Sequence, residues 1–320
     1  MKTKFIPAVV IFIASSLIFA QIVLAEGETK GEINWVGGYV SGIGQATATP
    51  SGNKVKDRLK AQRAAEVLAL RAIAETTQGV RIDGETVVKD MMLMGDVVRA
   101  RVEGLVKGAI KYKSNVEWDE GSPLVTVEMR ICLTPNAPEC KSNSSLLSAL
   151  PIEQKKEPQY VPVEKYHDVP ELTKNKELPP TTVSPKVEEK AVAPKIEVPK
   201  YDTSKPVTGV VVSLGGRFFE RELLPVIITE AGENNRMTVY SAKSVNPNVI
   251  RSYGVVRYAD SLEQAVKNPY LGNNVMVVPA SEVTKENMIG IRPESAKAIG
   301  ETTRYGNNYL SEAKVVISSN

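Results

Sequence analysis

From Val55 to Ile73 the apolar positions recur at helical spacing: Ala61, Ala65, Leu68 and Ala72 share one face, flanked by Ala69 and Ile73, while Lys60, Arg63 and Arg71 point elsewhere. This predicts an amphipathic helix with a smooth face of small residues, starting after Pro50-Ser51-Gly52-Asn53 and stopping near Gln78-Gly79. Further on the period changes from helical to two. Ile110, Tyr112, Val116 and Trp118 are interleaved with Lys111, Lys113, Asn115 and Glu117. After Asp119-Glu120-Gly121-Ser122-Pro123, residues Val125, Val127, Met129, Ile131 and Leu133 are interleaved with Thr126, Glu128 and Arg130. The expectation is a hairpin covered on one face by the helix.

Around this unit the patterns are less regular. Ile33 to Ala48 reads as one Gly-rich strand, with bulges or close backbone contacts at Gly37, Gly38, Gly42 and Gly44. Asp83 to Val106 permits a second helix broken near Gly95, and its methionines Met91, Met92 and Met94 read as core filling. Beyond residue 206, short β-branched runs predict strands at Val207–Ser213, Val226–Thr229, Met237–Tyr240, Val255–Tyr258, Val275–Val278 and Ala313–Ile317. One or two helical turns are expected at Ser261–Lys267 and Glu294–Glu301. The fold class is α+β: a helix packed on an antiparallel sheet, then a strand-dominated mixed domain.

The stretch between the two bodies has a different composition. Ten of the chain's 20 prolines fall between Pro151 and Pro206, interleaved with Lys, Glu, Thr and Val. Such a tract lacks the apolar surface needed to order itself, and in extended form about fifty residues reach roughly 150 Å. The expected organisation is a signal segment over 1–25, a helix-on-sheet domain over 31–140, a disordered Pro/Lys/Glu-rich linker over 141–206 and a strand-rich α+β domain over 207–320. Two bodies on a tether should unfold independently.

At the N-terminus, Lys2 and Lys4 precede an apolar run from Phe5 to Ala25, followed by Glu26-Gly27-Glu28. This is the pattern of a secretory signal peptide cleaved between Ala25 and Glu26. The run is also close to the roughly 20 residues of a membrane span, but Ser15, Ser16 and Gln21 weaken that alternative. No cysteine follows the cleavage site to carry a lipid anchor. The expected location is the periplasm. There Cys132 and Cys140, the only cysteines, read as a local disulfide. Closing so short a loop contributes about 2.6 kcal/mol on the chain-entropy account.

Charge and chemistry narrow the function. The formal charge of +3 falls to about +1 without the two signal lysines, which argues against nucleic-acid partners. The single histidine, His167, lies in the proline-rich tract, so catalysis would have to run without a histidine base. Gly42-x-Gly44 lacks the third glycine and the following helix of a nucleotide fingerprint. Ser-x-x-Lys occurs at Ser51–Lys54 and Ser311–Lys314 without the Lys-Thr-Gly and Ser-Asx-Asn elements that accompany it in penicillin-binding enzymes. Tyr240, Tyr253, Tyr258, Tyr270, Tyr305 and Tyr309 enrich the second body in aromatic rings, as half-buried packing or as a stacking platform for wall sugars. The reading is a non-enzymatic envelope scaffold or adaptor without cofactor or metal. Its expected partner is a protein of the cell envelope, with peptidoglycan or the outer membrane as further contacts. The alternative is a binder of, or enzyme on, cell-wall glycan.

Ala61-Gln62-Arg63-Ala64-Ala65, the helix to Gly79, Val102-Glu103-Gly104-Leu105-Val106-Lys107-Gly108, the strand to Trp118 and Val125-Thr126-Val127-Glu128-Met129 together carry a resemblance. Trp35 to Leu133 resembles the N-terminal domain of the flagellar assembly protein T and the related surface lipoprotein domain of the LPP type. The resemblance implies a secreted envelope protein with a helix on a small sheet, and supplies no catalytic residue. The second body is similar, through Glu222-Leu223-Leu224-Pro225 and Lys267-Asn268-Pro269, to a domain of uncharacterised secreted bacterial proteins that carry the same first domain.

Overall fold

A computed structural model of the chain describes residues 29–151, 201–229, 236–304 and 308–319. The run Phe5–Ala25, the Ala25/Glu26 junction, His167, Tyr305 and stretch 152–200 of the expected linker lie outside the described residues. The first body is a four-stranded antiparallel sheet in the order β1-β2-β4-β3, formed by β1 (Thr29–Asn34), β2 (Tyr39–Thr47), β3 (Ile110–Asp119) and β4 (Ser122–Cys132). Its helix α1 (Lys54–Gln78) packs on β1, β2 and β4. Asn53 caps α1 by accepting a hydrogen bond from the Lys56 N–H at 3.1 Å, and Gly79 ends it.

The expected face of α1 is buried, through Ala61, Ala65, Ala69, Ala72 and Ile73. The sheet meets it with glycines. A Cβ at Gly42 would run into the Ala69 carbonyl and one at Gly44 into the Ala65 carbonyl, so small residues on both sides set the helix-to-sheet distance. The single strand expected over Ile33–Ala48 is instead a hairpin. The Gly37 N–H donates to Asn34 Oδ1 at 2.6 Å and Gly38 takes φ +75°, which reverses the chain between Trp35 and Gly38.

The second helical region breaks at Gly95, between α2 (Val88–Met94) and α3 (Asp96–Lys107). Met91 and Met92 pack against the core, whereas Met94 is exposed. The β3–β4 hairpin forms at the expected place, turning at Glu120 (φ +45°) and Gly121 (φ +87°). One expectation fails here: α1 does not cover β3, and Ile110, Tyr112 and Trp118 are exposed. A bulge between Lys111 and Lys113 switches the face of the first residues.

Cys132 and Cys140 are disulfide-bonded, and the bond closes a small ribbon of β5 (Asn136–Ala137) and β6 (Cys140–Lys141). Ordered structure does not stop at residue 140. Ser145 caps α4 (Leu146–Ala149), and Leu146, Leu147 and Leu150 are buried in the core, so the first ten residues of the span assigned to the linker belong to the folded body.

The second body is a seven-stranded mixed sheet in the order β10-β13-β7-β11-β12-β8-β9. Its strands are β7 (Gly209–Ser213), β8 (Ile227–Thr229), β9 (Thr238–Tyr240), β10 (Arg257–Ala259), β11 (Val275–Val283), β12 (Ile289–Ile291) and β13 (Val315–Ser318). The neighbours β10, β13, β7 and β11 run parallel. Helices α5 (Pro247–Tyr253), α6 (Leu262–Val266) and α7 (Pro293–Arg304) fill the connections. Every residue of β7 is buried, as expected of a central parallel strand covered on both faces. Val210, Val212, Val315 and Ile317 join the main core; Val211 and Val316 pack with Ala265 and Leu271 on the other side.

The two bodies share that main core. Leu223 N–H donates to the Arg81 carbonyl at 3.1 Å and Leu224 N–H to the Ile82 carbonyl at 2.8 Å, while Arg81 pairs with Glu220. Asn136 Nδ2 donates to the Ser252 carbonyl at 2.8 Å. This replaces the expected pair of independent bodies with two docked ones.

Candidate binding cleft at the carboxyl edge of the parallel strands

The serine–lysine pairs are not dyads. Ser51 Oγ donates to Asp57 Oδ1 at 2.6 Å, while Lys54 lies over the Trp118 ring at 5.5 Å. Ser311 Oγ donates to the Asn308 carbonyl and Lys314 pairs with Glu312. The tyrosines divide. Tyr240, Tyr258 and Tyr309 are core residues, and burial raises the phenol pKa of each. Tyr253 and Tyr270 form a tilted pair with centroids 5.3 Å apart, and the Arg257 guanidinium lies 4.2 Å from the Tyr270 centroid.

The structure brings together a different set, which no motif in the sequence marks. In open α/β sheets the space beyond the carboxyl ends of parallel strands is where backbone groups and loops can meet a ligand. Here β7 runs into Leu214-Gly215-Gly216-Arg217-Phe218-Phe219. Gly215 and Gly216 take φ +58° and +77°, conformations that a side chain would oppose. The turn is tied to the end of β13: Leu214 N–H donates to the Ser318 carbonyl at 2.9 Å and Gly216 N–H to the Ser319 carbonyl at 3.0 Å.

Between this turn and the ends of β10 and β13 lies a cleft of about 300 Å³, lined in part by Arg217, Phe218, Phe219, Arg221, Tyr258 and Ser319. Phe219 is buried and stacks on Tyr258, whereas Phe218 is 81% exposed. The two arginines differ. Arg221 Nη2 donates to Asp260 Oδ1 at 2.7 Å and to Ser319 Oγ at 2.9 Å, so a carboxylate already answers its charge. Arg217 is held by carbonyl oxygens alone, with Nη1 donating to Leu214 at 3.0 Å and Nε to Ser281 at 3.1 Å. Among the described residues it has no carboxylate partner. An exposed aromatic side chain thus stands beside a guanidinium that has no carboxylate partner among the described residues.

The same segment continues into the junction between the bodies. Tyr258 OH donates to the Glu222 carbonyl at 2.7 Å, and Asn287 Nδ2 donates to Glu222 Oε2 at 3.1 Å. Burial pushes the Glu222 carboxyl up to about 8; the Asn287 hydrogen bond opposes this, Asp83 and Glu220 add to it, and Arg81 counters them.

Residues 209–319 match the family model for the second domain of Treponema pallidum Tp0624. No curated protein matches the chain. The Tp0624 match begins at the first residue of β7 and contains the whole cleft. It does not reach the first body, whose resemblance to the flagellar assembly protein T gains no support from these comparisons. A signal for the cleft was present in the sequence: a glycine pair directly after the all-buried run Gly209–Ser213, followed by a cation and two aromatics.

Proposed function

We propose that the protein is a non-enzymatic, exported adaptor of the cell envelope that holds a protein partner through the cleft at the end of β7. One observation carries the reading: Phe218 stands exposed on a double-glycine turn beside Arg217, which has no carboxylate partner among the described residues. Aromatic and arginine side chains held in fixed positions supply most of the energy at protein interfaces. The cleft is too small to enclose a second domain and suits an anchor of a few side chains. Export rests on the run Phe5–Ala25 and the cleavage expected between Ala25 and Glu26. A flagellum-related assembly is one setting for such an adaptor.

The test is a comparison of crosslinked complexes from intact envelopes carrying the wild type, Phe218→Ala or Arg217→Ala. A discrete protein partner should be lost in both variants. Recovery of the mature chain from the cytoplasm would refute the reading. Binding to wall glycan is the rival, favoured by the Tyr253–Tyr270 pair. Retention on purified peptidoglycan that disappears in Tyr253→Ala would favour the rival.

A further inference from the structure

The edge of the first sheet carries the features of a self-complementary interface. β3 pairs with β4 along one side only, and no second strand lies on its other side among the described residues. Long free edges are usually blunted by bulges or lysines. Here the bulge sits at the beginning of the strand, after Lys111, which is drawn to Glu66 of α1; one exposed lysine, Lys113, remains beyond it. From Lys113 to Asp119 the strand is regular and its edge is open.

An apolar strip runs beside that edge. The Lys111–Glu66 pair shows which side of α1 faces β3. Val55 and Leu59 lie on the same stripe of the helix as Glu66, at helical spacings of eleven and seven residues. They are 62% and 48% exposed, and Trp118 on β3, whose ring lies 5.5 Å from Lys54 Nζ at the start of α1, is 43% exposed. Because α1 packs on β1, β2 and β4, these side chains border an uncovered trough over β3.

We propose that the free edge of β3 pairs antiparallel with β3 of a second copy of this chain, about a two-fold axis at Asn115. The charges of the strand favour this register over its one-residue neighbours. With Asn115 opposite itself, Lys113 of each copy faces Glu117 of the other, and Ser114 faces Val116. Lys113 and Glu117 are exposed, and neither has an opposite charge within ion-pair distance among the described residues. A slip of one residue in either direction breaks both cross-copy charge pairs. The joined sheets hold eight strands, with both α1 helices on one side. The two β4 strands then stand about 14 Å apart, more than the 8–10 Å that packed helices need, so the helices flank the trough without collision. Val55, Leu59, Val116 and Trp118 of both copies line it.

The register sets the test. Antiparallel partners have Cα atoms about 4.5–5.5 Å apart, within disulfide range. Asn115→Cys in the full mature chain should therefore give an oxidised dimer whose peptide map shows Cys132–Cys140 intact and a new link between the two introduced thiols. By light scattering the wild type should approach twice the chain mass as concentration rises. Lys113→Glu or Glu117→Lys alone should return it to the monomer, and the double reversal should restore the dimer. A wild type that stays monomeric, leaving the edge to a strand of another protein, would overturn the proposal. So would a dimer indifferent to the single reversals, or one that Asn115→Cys fails to crosslink.

Discussion

The rings of Trp35 and Tyr258 meet edge-on, with centroids 5.6 Å apart and planes at 71°. Trp35 sits in the β1–β2 turn of the first body and Tyr258 on β10 of the second, so this contact fastens together halves of the chain more than two hundred residues apart. With Leu223 and Leu224 hydrogen-bonded to Arg81 and Ile82, it should make the halves unfold as one cooperative unit. Calorimetry of the mature chain should show a single transition. Trp35→Ala should destabilise the whole by about 1–3 kcal/mol. A protease nick within 152–200 should leave two fragments that still co-elute. Two transitions, only one of them moved by the substitution, would contradict this.

Glu222 gives the junction a pH dependence. Its carboxyl titrates near 4.5 when unfolded and at about 8 in the folded chain. Between those values the folded state holds the extra proton, so the stability contributed is present in full below about 4.5 and is lost as pH rises through about 8. The denaturation midpoint should fall from pH 5 to pH 9, and Glu222→Gln should flatten that fall. An equal slope in wild type and variant would place the titrating group elsewhere.

Gly44 sets the spacing of helix and sheet. Gly44→Ala places a methyl group against the Ala65 carbonyl and the Ala69 N–H of α1, backbone atoms that cannot rotate away. Overpacking of this kind costs about 1–3 kcal/mol in urea denaturation. Gly104→Ala, where a Cβ meets nothing within 4 Å on α3, should be neutral or mildly stabilising.

The Cys132–Cys140 bond closes a loop with a sequence separation of 8. Its removal by the double change to Ser should lower stability by about 2–3 kcal/mol without unfolding the chain, because Leu146 and Leu147 anchor the following segment independently. Mass spectrometry of the unreduced wild type should find the linked peptide.

What the sequence made legible follows from periodicity. The α1 face, its caps at Asn53 and Gly79, the break at Gly95 and the β3–β4 turn all rest on local chemistry, and all appear as expected. What it hid depends on distant residues. Trp35 looked like a strand residue because the turn needs the Asn34 side chain, which reads equally well in a strand. Trp118 alternated like a core residue, yet exposure was decided by how far α1 extends over the sheet. Leu146 and Leu147 follow a proline-bearing loop inside the span expected to be linker, although two leucines after a capping Ser145 are a readable signal. The cleft depends on β13 lying beside β7, a pairing across a hundred residues that no local pattern encodes.

The adaptor reading is tested most directly at Phe218. A photo-reactive residue placed at this position in the full chain, expressed and exported in cells, should form one discrete protein adduct, and the adduct should be lost when Arg217→Glu is added. Scattered adducts that are insensitive to Arg217, or an adduct with glycan alone, would contradict the claim that this cleft holds a protein partner.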